Sequence, residues 1–87
     1  MKERPVKILN KTGLHIRPAS LFVQMASRFH STVRVFAGGQ EADGRSILSL
    51  MLLELTPGTE IVIRAEGDDE NQAMEALVLL VESGFSE

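Results

Sequence analysis

The residue pattern predicts an α+β domain in which three helices cover one face of a four-stranded antiparallel sheet and leave the other face wet. Three observations predict it. Four short stretches alternate apolar and polar residues with the period of a strand. Three others repeat their apolar positions at helical spacing. Between two of the strands lies Gly38-Gly39, and paired glycines permit the positive φ angles that a two-residue hairpin requires. The resulting order is β-α-β-β-α-β-α.

The first strand is read from Val6 and Ile8 alternating with Lys7 and Leu9, reaching towards Asn10. Asn10-Lys11-Thr12-Gly13 supplies turn residues. From Pro18 onward, Ala19, Phe22, Val23, Ala26 and Phe29 mark one face of a helix, with Ser20, Gln24, Ser27 and Arg28 opposite. Pro18 suits a first helical turn because its missing N–H would be unpaired there anyway. It also biases Arg17 away from helical angles. Thr32–Phe36 is β-branched and alternating, a second strand. Gln40–Asp43 returns as a short third one. Ile47–Leu53 is a short, very apolar helix with Ser46 as its natural N-cap, and Leu50 and Leu53 are its core residues. After the Thr56–Thr59 turn, Glu60–Glu66 points Ile61, Ile63 and Ala65 inward as a fourth strand. Acids at 68–70 open the last helix, whose buried stripe is read as Ala73, Ala76, Leu77, Leu80 and Val81, with Gly84 as its stop.

Composition narrows the function classes. Eighty-seven residues, 44% of them hydrophobic, predict one domain over residues 1–87 with a modest core. The chain has no cysteine, which excludes a disulfide framework, and its two histidines lie far apart, which argues against a zinc site. No apolar run approaches the roughly 18 residues that span a bilayer. Met1–Pro5 lacks the apolar centre of a signal peptide, so a cytoplasmic location is expected. Residues 1–45 hold eight bases and three acids, residues 46–87 one base and nine acids. A basic first half suits an acidic protein partner. A net charge of −3 and the absence of Trp and Tyr argue against nucleic acid.

The chemistry concentrates in Gly13-Leu14-His15-Ile16-Arg17-Pro18-Ala19. This order places an imidazole at the mouth of a helix, where free N–H groups and the dipole attract an anion. The position before a helix ordinarily holds Ser, Thr, Asp or Asn, yet His15 and Arg17 stand here. A cation in the first turn opposes the dipole by about 0.3–1 kcal/mol. A phosphate would resolve both conflicts, meeting helix N–H groups and a guanidinium suited to its geometry. No second catalytic group stands at a recognisable spacing, so a lone imidazole with one arginine points to handing on a phosphoryl group rather than to a self-sufficient enzyme.

The Gly13–Ala19 segment, Ser46-Ile47-Leu48 and the chain length resemble the HPr family, the histidine phosphocarriers of the phosphoenolpyruvate-dependent sugar phosphotransferase system. The likeness spans essentially the whole chain. It implies an open-faced β-sandwich, with a four-stranded antiparallel sheet and three helices packed on one face. It implies that His15 is phosphorylated, through Nδ1, by enzyme I and passes the group to enzyme II A domains, with Arg17 pairing with the phosphate. Ser46 matches the serine that an HPr kinase/phosphorylase modifies in relatives. The docking surface would comprise Ile16, Ser20, Gln24, Ile47, Leu48 and Met51, because so apolar a short helix cannot bury all its surface. No cofactor, no metal and no membrane insertion are expected, and nothing in the sequence suggests more than a monomer. Ile16 is bulkier than the small residue common in relatives, and Gln24 and Ser27 replace basic residues. The ending Val81–Phe85 and the Leu50–Leu53 run resemble the nitrogen-related paralogue NPr, so a regulatory module without a direct transport role stands as the alternative.

Overall fold

The structure is a computed structural model that describes residues 1–86. Its sheet contains β1 (Lys2–Lys7), β2 (Thr32–Ala37), β3 (Gln40–Asp43) and β4 (Glu60–Glu66), all antiparallel, in the order β1-β4-β2-β3. The helices are α1 (Ile16–Ala26), α2 (Ile47–Met51) and α3 (Glu70–Glu82), followed by a tight turn over Gly84–Ser86. The α+β architecture and element order agree with the sequence pattern.

Register explains which face is buried. Val6 pairs with Ile61, and Ile63 pairs with Val35, which pairs in turn with Ala42. These side chains share one face and meet Phe22, Leu50, Leu77, Val81 and Phe85 from the helical side. The opposite face is open. There Arg64 lies directly across from Arg34, an unfavourable pairing of like charges. Each is offset by its own carboxylate: Arg64 Nε lies 2.6 Å from Glu3, and Arg34 Nε lies 2.6 Å from Glu41. Arg64 also stacks over Phe36, 4.5 Å from the ring centre.

Four boundaries differ from the sequence expectation. Strand β1 begins at Lys2 and ends at Lys7, so Ile8 and Asn10 are buried beyond the strand rather than in it. Helix α1 begins at Ile16, which makes Pro18 its third residue and brings Arg17 into helical conformation despite the proline after it. It ends at Ala26, leaving Phe29 half-buried beyond the last turn. Helix α2 stops at Met51, so Leu52 and Leu53 follow it. On α3 the buried stripe is Ala73, Met74, Leu77, Val78 and Val81, one position round from the predicted face. The helix rests on β1 and β4, while Ala76 and Leu80 turn towards Met25 and Phe29 and are only half-buried. Gly84, at φ +68°, terminates α3 as predicted.

Candidate functional site

The loop before α1 is built from the main chain outward. Asn10, buried, donates from Nδ2 to the Gly13 carbonyl at 2.5 Å, and Gly13 N–H donates back to the Asn10 carbonyl at 3.2 Å. Gly13 has φ +69°, and a Cβ there would stand 2.4 Å from the Leu55 carbonyl oxygen. That same oxygen accepts from Leu14 N–H at 3.1 Å, with the Leu14 side chain buried. Glycine is therefore required twice over, for the left-handed angle and for the close approach.

This anchoring leaves His15 as the N-cap of α1, in extended conformation and with its side chain exposed. The imidazole makes no cap hydrogen bond, and no acid lies in the first turn. Its carbonyl accepts from Ala19 N–H at 2.9 Å, the first bond of the helix. Pro18 has no N–H, so the amides of Ile16 and Arg17 are the unpaired donors of this terminus. An exposed imidazole thus stands beside two main-chain donors and a partial positive charge. Arg17 is exposed, and its side chain lies along an open cleft of about 550 Å³ with Lys11, Thr12, Glu82 and Ser83. His15 does not line that cleft.

The second predicted position behaves as an ordinary cap. Ser46 Oγ, half-buried, accepts from Ser49 N–H at 3.1 Å at the start of α2. Helices α1 and α2 touch, which brings the predicted docking residues onto neighbouring elements. Ile16 is 64% exposed and Leu48 68%, large values for such side chains, and Met51 is also exposed. Gln24, exposed, donates to the Ser20 hydroxyl one turn away at 3.2 Å. Ile47 is the exception: it is half-buried against the core and offers less surface than its neighbours.

Three features were not anticipated. Leu52 is as exposed as Leu48, because α2 ends before it. Arg45, though exposed, is more than a plain neighbour of Ser46; its guanidinium donates to the carbonyls of Ala26, Phe29 and Ser31, where α1 ends. The Asp69 carboxylate accepts from His30 N–H at 2.8 Å and Ser31 N–H at 2.9 Å, and also from the Ser31 hydroxyl. The Ser31 hydroxyl, followed by the His30 amide, holds the Asp69 carboxyl below the usual aspartate range. No spacing rule connects residues so far apart in sequence. Among the described residues, no three His, Cys, Asp or Glu side chains gather as a metal site, and no helix is long and apolar enough to cross a membrane.

A family model described as the PTS HPr component phosphorylation site matches the chain over residues 2–83. The chain belongs to the HPr family. It is 44% identical over 81 residues to the phosphocarrier protein HPr of Haemophilus influenzae, covering 93% of this chain and 95% of that protein. It is also 44% identical over 82 residues to the HPr-like protein Crh of Halalkalibacterium halodurans, covering 94% of this chain and 98% of the relative. The crystal structure of HPr from Thermoanaerobacter tengcongensis superposes with a TM-score of 0.96 at 48% identity, over 100% of this chain and 98% of that one. The open four-stranded sheet with three helices is thus the HPr fold.

Proposed function

We propose that this HPr-family chain is a phosphoryl carrier of the phosphoenolpyruvate-dependent phosphotransferase system, with His15 as the carrier residue. The exposed imidazole at the uncapped start of α1 is the observation that supports it most strongly. Enzyme I presents a phosphoryl group to the deprotonated ring nitrogen. A new N–P bond forms as the donor's bond breaks, and the donor leaves with its electron pair. The Ile16 and Arg17 amides and the helix dipole receive the phosphate oxygens, and Arg17 swings from its cleft to pair with them. An open site of this kind holds the group without enclosing it, so an enzyme II A domain can take it away. The chain is a substrate of its partners rather than a catalyst, needs no cofactor, and works as a cytoplasmic monomer. Ile16, Leu48, Met51 and Leu52 give the exposed apolar contact, with Ser20, Gln24 and part of Ile47 around them.

Incubation with enzyme I and phosphoenolpyruvate should load one acid-labile phosphate per chain, and His15→Ala should load none. Equal labelling of the alanine variant would sink the assignment. Ser46 carries a second, regulatory role, in which an HPr kinase/phosphorylase places a phosphate beside the docking face, repels an acidic partner and serves carbon catabolite regulation. The cap position of its hydroxyl supports this, since a phosphate at a helix start is locally tolerated. A chain that accepts phosphate at Ser46 but not from enzyme I would instead be a Ser46-phosphorylation-dependent regulatory interaction module, the alternative that stands beside an NPr-like one.

A further inference from the structure

The ends of the three helices are tied at one short loop. Arg45 grips its carbonyls, donating from Nη2 to Ala26 O, Phe29 O and, at 2.9 Å, Ser31 O. Asp69 grips its amides, accepting from His30 N–H and Ser31 N–H. Helix α1 has no basic residue in its own last turn. Its carboxyl end, where the dipole is negative, is therefore satisfied by a cation from a segment nineteen positions beyond Ala26. Arg45 is also the residue immediately before Ser46. Consecutive α-carbons are about 3.8 Å apart, well within the reach of an arginine side chain.

We propose that Arg45 is the positioning residue through which a phosphoryl group on Ser46 acts on the carboxyl end of α1. The inference rests on the reading of Ser46 as a modification site and adds a consequence inside the chain to the repulsion of a partner. Transfer from a nucleoside triphosphate forms a P–O bond at Ser46 Oγ, releases the hydroxyl proton and leaves the nucleoside diphosphate. The product is a near-dianion one residue from a guanidinium that is hydrogen-bonded only to neutral carbonyls. Hydrogen bonds between ionised groups are roughly twice as strong as neutral ones, and guanidinium meets phosphate in a matched two-pronged geometry. Arg45 leaves the carbonyls for the phosphate. The last turn of α1 then loses its cation, and the bonds from Ser27 N–H to Val23 O, Arg28 N–H to Met25 O and Phe29 N–H to Ala26 O open more often. The amide side of the loop does not loosen, because Asp69 still holds His30 and Ser31. The signature is thus local: fraying at residues 27–29 and retention at 30–31.

The test uses full-length chain assembled by ligation of synthetic segments with phosphoserine at position 46, so that it does not depend on any kinase. Amide hydrogen exchange is followed residue by residue by NMR, with and without the phosphate. Exchange at Arg28 and Phe29 should quicken about tenfold, the scale of losing a helix-end cation in partly buried surroundings. His30 and Ser31 should keep their protection. Arg45→Gln removes the charge that phosphate attracts, so phosphorylation should add nothing to its exchange. Arg45→Ala should exchange quickly at 28–29 before any phosphate is added. Unchanged exchange at 28–29 in the phosphorylated chain would overturn the coupling, as would an equal acceleration in phosphorylated Arg45→Gln. Incubating the unmodified chain with HPr kinase and ATP tests the modification itself. A negative result there with fraying in the ligated protein removes the kinase role and leaves the coupling in place.

Discussion

Replacing Gly13 by alanine should strike the carrier loop harder than any other single methyl group. The residue sits at φ +69°, where an L side chain costs roughly 1–2 kcal/mol. Its new Cβ would also stand 2.4 Å from the Leu55 carbonyl oxygen, so that backbone must move and the 3.1 Å bond from Leu14 N–H must lengthen. Losing a buried main-chain hydrogen bond adds about 1–3 kcal/mol, for a total of roughly 2–5 kcal/mol. A chain of this length has on the order of 4–13 kcal/mol of stability, so the loss is a large share of it. Gly58 separates the two causes. It has φ +88°, but nothing lies within 4 Å of the Cβ it would gain, so Gly58→Ala should cost only the backbone part. Urea unfolding of both variants measures the difference. Initial rates of phosphoryl uptake from enzyme I should also fall for Gly13→Ala, because His15 hangs from the displaced segment, and not for Gly58→Ala. Equal destabilisation of the two variants would refute the claim that close approach to Leu55 fixes the loop.

Other perturbations separate cap, contact and electrostatic roles. Ser46→Ala should lower stability by about 0.5–2 kcal/mol through loss of the bond to Ser49 N–H, whereas Ser46→Asp should retain most of it, as urea midpoints would show. Leu48→Glu and Leu52→Glu, at positions 68% exposed, should change stability by less than about 0.5 kcal/mol yet weaken binding to enzyme I in titration calorimetry. Asp69 should contribute an acid-side dependence. Its folded pKa is depressed, first by the Ser31 hydroxyl and then by the His30 amide. The stabilisation is therefore complete above the unfolded aspartate value of about 3.9 and disappears as pH falls through the lower folded value. Stability measured against pH should drop more steeply on the acid side for the natural chain than for Asp69→Asn, and coincident acid limbs would remove Asp69 from the account.

The parts of this fold legible in sequence are those set by local rules. Strand β4 alternates strictly, and Ile61, Ile63 and Ala65 are buried as the period requires. The Gly38-Gly39 turn has positive φ at both residues, and Ser46 caps α2 through its own hydroxyl. What escaped the pattern depends on distant segments. The α3 stripe shifts by one position because β1 and β4 lie beneath Met74 and Val78, which helical periodicity alone does not distinguish from Ala76 and Leu80. Phe85 is buried, although it follows the glycine that stops the helix. The Arg45 and Asp69 clamps join residues 14 to 39 positions apart, and no composition or spacing announces them. In the candidate site, the uncapped His15 was legible because its conflict with capping preference is local. The resting place of Arg17 in a cleft with Glu82 and Ser83 was not, since that wall comes from the far end of the chain.

The three helix starts differ in first-turn charge, and the difference bears on the proposed carrier role. Helix α3 opens with Glu70 in its first turn, which neutralises its dipole in the ordinary way. Helices α1 and α2 have no first-turn acid at all, and they are the two that carry His15 and Ser46. Adding one carboxylate to either start would raise its stability by a few tenths to about 1 kcal/mol. Under the proposed function it would also fill, with a permanent negative charge, the field in which a phosphate would have to arrive and from which it would have to leave. On the proposed carrier role, the same bare terminus that weakens α1 as a helix is what would let His15 take up a phosphoryl group and release it to a partner. Local instability and carrier chemistry would then be one property of residues 15–18, seen first as a missing cap and then as an open seat.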